Sequence, residues 1–208
     1  GVPLLDEVLT DADRAALRRE LVSEATWLLH HACRGDQTGV FAGRWNASGR
    51  NVPESNIWSG ALLWRVAQRY PDEADAPAWM DRAHDYFING ISIPADAEAG
   101  TIVAGKPLAA RYAGANFFPN YALDHHGYLN VGYMVICTSN AAMLAFDMAR
   151  AGLPRPESLM HHQADMWQVL RRFIFADGRL ARIGGDSRVR YTYCQEYLLP
   201  ALLFAAHA

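Results

Sequence analysis

Residues 116–133 read NFFPNYALDHHGYLNVGY and hold the adjacent histidines His125 and His126, Asp124, three asparagines and three tyrosines. Imidazoles titrate near neutral pH, so placed beside phenols and amides they can exchange a proton with a substrate that the amides hold. The histidine pair has three candidate roles: metal ligands, an acid/base pair, or structural hydrogen-bonding groups. No HExxH pattern and no spaced Cys/His set accompanies it, so no metal and no cofactor is expected. Gly127 and the Asn-rich flanks place the pair on a loop, where polar rings more often serve function than packing. His30-His31 and His161-His162 fall inside predicted helices, where neighbouring side chains diverge by about 100°. A surface or packing role is expected for those two pairs.

A second stretch with chemical potential is Arg188-Val189-Arg190-Tyr191-Thr192-Tyr193. A phenol among guanidinium groups has its pKa lowered and can give or take a proton, although aromatic packing at a helix start would use the same residues. A third lies in the Gly- and Arg-rich segment 34–56, which carries Arg44, Trp45, Asn46, Asn51 and Asn56. Carboxylates for glycoside hydrolysis could come from Asp124, Asp186, Glu54 or Glu196, but no spacing singles out two of them. GxSxG, P-loop and Rossmann glycine signatures are absent.

The elements that must position these groups are helices. Thr10 is a good N-cap with Asp11 and Asp13 behind it, and the apolar spacing that follows predicts a helix over 11–32. Pro53 opens a second helix whose Ile57, Trp58, Ala61, Leu62, Trp64 and Val66 leave few polar sides. A third is predicted over 77–88, a fourth over 131–150, a fifth over 156–175, and a sixth opening at Tyr191 or Tyr193. Residues 179–183 suggest a short strand. The second, fourth and sixth helices are apolar nearly all round and follow long polar loops, whereas the third and fifth are amphipathic and follow short turns. That alternation is expected of helical hairpins stacked in an inner and an outer layer, with the three long loops at one end. The expected fold is therefore all-α, and the converging loops offer Trp45, Asn56, Tyr128, Asn130, Arg188, Arg190 and Tyr191 as substrate-binding groups around His125 and His126.

Composition narrows the classes. At 208 residues with half of them apolar, the chain suits one domain with a sizeable core. A net charge of −3 argues against nucleic acid as the main partner. No run of about 18 apolar residues predicts a membrane span. Lys106 is the single lysine beside 18 arginines, and arginine is the better residue for forked recognition of carboxylates and sulfates. Cys33, Cys137 and Cys194 are scattered without CxxC spacing and read as buried free thiols. The chain begins Gly1-Val2-Pro3 and ends within an apolar helical pattern, so both ends read as cut and other segments of a longer parent, or a second copy, are expected as partners.

His125-His126-Gly127-Tyr128 followed by an apolar inner helix resembles the Asn-His-Gly loop of heparinase II/III-like and alginate polysaccharide lyases. Arg188-Val189-Arg190-Tyr191-Thr192-Tyr193 followed by Leu198-Leu199 resembles the arginine- and tyrosine-containing segment that opens a later inner helix in that family. The resemblance covers about residues 54–204 and implies part of an (α/α) toroid. It also implies β-elimination of an acidic, uronate-containing polysaccharide or oligosaccharide, in a secreted or periplasmic protein; without it, a cytoplasmic location is expected. By position, His126 would be the catalytic histidine and Tyr193 (otherwise Tyr191) the catalytic tyrosine. His125 stands where the family has asparagine, and Asn56 or Arg190 could instead neutralise the uronate carboxylate. The family's β-sandwich domain has no counterpart in this sequence. Two other readings stay open: a toroid glycoside hydrolase using Asp124 and Asp186, and a non-catalytic carbohydrate-binding or structural helical subunit.

Overall fold

The computed structural model describes residues 7–31, 39–45, 51–181, 183 and 190–207, with side chains in the last segment from residue 196. The fold is all-α. Its principal helices are α1 (Asp11–His30), α2 (Pro53–Arg69), α3 (Ala76–Ile88), α5 (Val131–Ala151), α6 (Gln163–Leu170) and α7 (Arg190–His207), and α4 (Leu108–Arg111) is a single turn. Two short antiparallel hairpins, β1 (Ile102–Val103) with β2 (Lys106–Pro107) and β3 (Asp124–His125) with β4 (Tyr128–Leu129), interrupt the connection between α3 and α5.

Local chemistry sets the helix ends. Thr10 and Asp13 exchange hydrogen bonds as a capping box at the start of α1. Pro53 occupies the first turn of α2, where a missing N–H costs nothing. Gly152, at φ 67°, ends α5 in the left-handed conformation and lets the Leu153 N–H reach the Met148 carbonyl at 2.9 Å.

α2 and α3 form an antiparallel hairpin packed closely enough to require glycine at two points. A Cβ on Gly60 would lie 2.9 Å from Phe87 Cε1, and one on Gly90 would lie 2.5 Å from Ile57 Cγ1. α5 runs parallel to α2: the Asn140 amide donates to the Glu54 carbonyl near one end, and Arg65 pairs with Asp147 near the other. α7 packs along α5, and Phe146 and Phe204, each late in its helix, meet edge to face at 6.5 Å. The three apolar helices α2, α5 and α7 thus run side by side in one direction, with the described segments that precede α2 and α5 at one end. α1 and α3 lie outside them, joined where the Tyr86 hydroxyl donates to the His31 carbonyl at 3.1 Å. The core comprises Ile57, Leu63, Trp79, Tyr86, Phe117, Leu123, Met134, Leu144, Met166 and Leu170, all less than 2% exposed. α5 is long and apolar enough to cross a membrane, but 78% of its most apolar window is buried inside the fold. Core packing accounts for its composition.

The long connection 91–130 is held by Arg111, whose side chain is fully buried. All five guanidinium N–H groups are used: on the carboxylates of Asp81 (2.9 Å) and Asp85 (2.7 Å) and on the carbonyls of Val103, Asp81 and Ala104. Burial pushes the Asp85 carboxyl up despite this partner.

The structure corrects the expectations for 156–183. The helix predicted over 156–175 is instead a 3-10 turn (Glu157–Met160), α6, and a second 3-10 turn (Arg171–Phe173). His162 has φ 53°, a left-handed conformation that an α-helix cannot pass through, so α6 begins only after it. In place of a strand over 179–183, the described residues carry one isolated antiparallel bridge, Ile174 with Leu180.

Candidate functional site

The β3–β4 hairpin carries the histidine pair directly onto the N-terminus of α5. Asp124 faces Leu129 and His125 faces Tyr128, so His126 and Gly127 form the two-residue turn. Both have positive φ, 63° and 84°, as a type I′ turn requires. Glycine takes this conformation freely, whereas a histidine there is strained by roughly 1 kcal/mol and stays only because its surroundings hold it. Asn130 supplies one hold. Its Oδ1 caps α5 by accepting the Tyr133 N–H at 3.1 Å, and its Nδ2 donates to the His125 carbonyl at 3.2 Å and the Tyr128 hydroxyl at 3.3 Å.

His125 is buried, and its Nδ1 lies 2.6 Å from Asn51 Oδ1. The Asn51 Nδ2 donates to the Asn116 carbonyl at 2.9 Å and the Gly43 carbonyl at 3.3 Å, so the oxygen of that amide must face the imidazole. An oxygen acceptor at Nδ1 places the proton there and leaves Nε2 as the basic nitrogen of the neutral ring. Four rings from three elements surround this point. Trp45 lies 4.7 Å from both imidazoles, the imidazoles lie 4.4 Å from each other, and Tyr133 lies 4.1 Å from His125. The Tyr133 hydroxyl and His126 Nε2 are 3.4 Å apart, within the looser range of acid/base pairs lacking substrate.

Beneath the rings is a scaffold of buried asparagines. Asn56 Nδ2 donates to the carbonyls of Phe41 and Asn89, each at 2.7 Å. Asn89 donates to the carbonyls of Asp85 and Arg111 and accepts the Ala113 N–H. Asn116 accepts the Gly43 N–H and donates to the Asn89 carbonyl at 2.5 Å. These amides satisfy loop backbone that has no regular ladder to join, which fixes the segments before α2 and α5 to each other.

His125, His126, Trp45, Tyr128 and Asn130 are therefore brought together. Asn56 is not part of that cluster. It is fully buried, and its amide protons are used on Phe41 and Asn89, so it serves the scaffold. Asn130 likewise spends its amide on the cap and the hairpin. Arg188 and Asp186 lie outside the described residues, as do the side chains of Arg190, Tyr191 and Tyr193; the backbone of 190–193 forms the first turn of α7. Two participants appear in the sequence reading only as members of polar stretches, without a role: Asn51, whose partner is remote in the chain, and Tyr133, the third tyrosine of 116–133. A shallow depression of about 610 Å³ lies beside the hairpin, lined by Phe118, Pro119, Asp124, Gly127, Tyr128 and neighbours. Arg44 stacks on its Phe118 wall, 3.5 Å from the ring centre.

Comparison with family models, with curated proteins and with solved structures finds no match to this chain.

Proposed function

We propose that the chain is the helical part of an (α/α) toroid lyase that cleaves an acidic, uronate-containing polysaccharide or oligosaccharide by β-elimination. The observation that carries this reading is the His126–Tyr133 pair, a base and a phenol 3.4 Å apart at the mouth of a ring-lined site. The parallel run of α2, α5 and α7, with the described segments before α2 and α5 at one end, supports the toroid. In β-elimination the C5–H bond of the uronate breaks, its electron pair forms the C4–C5 double bond, and the C4–O bond to the leaving sugar breaks. His126, neutral at Nε2, takes the C5 proton, and the Tyr133 phenol protonates the departing oxygen. Tyr193, at the start of the parallel helix α7, is the other phenol available for that step. His125, held by Asn51, orients the ring cluster, and Trp45 gives a sugar face an apolar platform. With Asn56 committed to the scaffold, neutralising the uronate carboxylate falls to the arginines Arg188 and Arg190.

Leu199 is 63% exposed on α7, with Leu202 and Leu203 beside it. That apolar side suits further helices of a larger array or a second copy of the chain.

Incubation with uronate polymers tests the activity. Elimination produces an unsaturated uronate that absorbs in the ultraviolet. New reducing ends without that absorbance would indicate hydrolysis, with Asp124 and Asp186 as the carboxylates to examine. Saccharide binding with neither signal would leave a binding module.

A further inference from the structure

Asp96, His161 and His162 lie apart from the hairpin cluster and belong to two different connections. Asp96 sits in the 3-10 turn Pro94–Glu98, and the histidines lie in the turn that leads into α6. The two imidazoles do not diverge as helical neighbours would. Their centroids are 3.9 Å apart, and both present Nε2 to one carboxylate, His161 to Oδ2 at 3.2 Å and His162 to Oδ1 at 2.9 Å.

We propose that Asp96, His161 and His162 bind a divalent cation of the zinc class, which fastens the α3–α5 connection to the turn before α6. Three features point to a metal site. The donor set of two imidazole nitrogens and a carboxylate is one that zinc accepts, with solvent completing a tetrahedron. The donor atoms all lie within 4.8 Å of one another, and neighbouring ligands at zinc bond lengths stand about 3.3 Å apart, close to the two spacings seen here. The third feature is the outer contact. His162 Nδ1 lies 3.1 Å from Asp165 Oδ2, the carboxylate–histidine arrangement that keeps a ligand's proton on the far nitrogen and turns Nε2 toward the metal.

The site is also braced. The Ile93 N–H donates to Asp96 Oδ2 at 2.9 Å, and His162 holds its left-handed backbone at φ 53°. The Tyr121 ring lies 5.1 Å from His162. Tyr121 stands three residues before β3, so a cation here would also stiffen the approach to the histidine hairpin.

The test is titration of the metal-free 208-residue chain with Zn²⁺ alone, followed by calorimetry and thermal unfolding. One equivalent per chain and a raised unfolding midpoint are expected. His161→Gln combined with His162→Gln should abolish uptake while the circular dichroism stays that of the parent. His30→Gln with His31→Gln should leave it intact. Asp165→Asn should weaken affinity about 10- to 100-fold without removing a ligand. If the double histidine variant fails to fold, Co²⁺ bound to the parent chain decides: a tetrahedral visible spectrum that Asp165→Asn perturbs supports the site. No uptake by the parent, uptake unaffected by the 161/162 substitutions, or a Co²⁺ spectrum that is octahedral or unchanged in Asp165→Asn would overturn it.

Discussion

Asn51 and His125 stand 74 residues apart in the chain, yet Asn51 Oδ1 meets His125 Nδ1 at 2.6 Å in the interior. The same asparagine ties down the Gly43 and Asn116 carbonyls, so the tautomer of His125 and the seating of two loops depend on one amide. Asn51→Ala should cost about 1–3 kcal/mol through the buried groups left without partners. Asn51→Asp, presenting a carboxylate instead, should raise the His125 pKa. Nitrogen chemical shifts of the imidazole through a pH titration, with thermal unfolding alongside, check both. A His125 that carries its proton on Nε2 in the parent would remove the basis for this assignment.

Under the proposed elimination, His126→Ala and Tyr133→Phe should each lower kcat about 100-fold or more while leaving oligosaccharide binding within a few-fold, since each removes a proton-transfer group. His126→Asn keeps a residue that tolerates positive φ, and so separates loss of the imidazole from loss of the turn. If Tyr133→Phe keeps full activity and Tyr193→Phe does not, the phenol belongs to α7.

Arg111 is the principal lock on the α3–α5 connection. Replacing it by Met should destabilise the fold by about 1–3 kcal/mol, because the buried loop carbonyls lose their donor and half-buried Asp85 keeps only Arg82, at 3.5 Å. Arg111→Lys should recover only part of this loss, since an ammonium has three donors where five are used. Denaturant midpoints measure the difference; a midpoint for Arg111→Met equal to the parent's would contradict the role.

His84 is buried, with its Nδ1 2.8 Å from the Ser158 hydroxyl. Burial, helped by the Arg111 charge, lowers its pKa. A depressed folded-state pKa means the unfolded chain binds the proton more readily. The stability His84 contributes is therefore complete above the unfolded value of about 6.5 and is lost as pH falls toward the folded value. His84→Gln should flatten the dependence of the unfolding free energy on pH over that acid window. An unchanged slope would show that His84 ionises alike in both states.

Much of the helical frame is determined by the sequence alone, because helix ends depend on neighbours a few residues away. The Thr10 capping box, Pro53 in the first turn of α2, and Gly152 closing α5 each act over one helical turn. Apolar periodicity likewise marks α2 and α5 as inner helices. The turn before α6 escapes this reading, because His162, with its left-handed backbone, is tied to Asp96, 66 residues away in the chain. The same holds at the candidate site. His125, His126 and Trp45 are legible as residue types on polar loops, but their roles depend on partners that only packing brings within reach. Helix and loop placement made Asn51 the partner of His125, consigned Asn56 to the scaffold, turned Tyr133 toward His126 and drew His161 and His162 onto one carboxylate. Hydrogen bonds act over about 3 Å, and a linear pattern carries no such distance, whether the partners stand 7 or 74 positions apart.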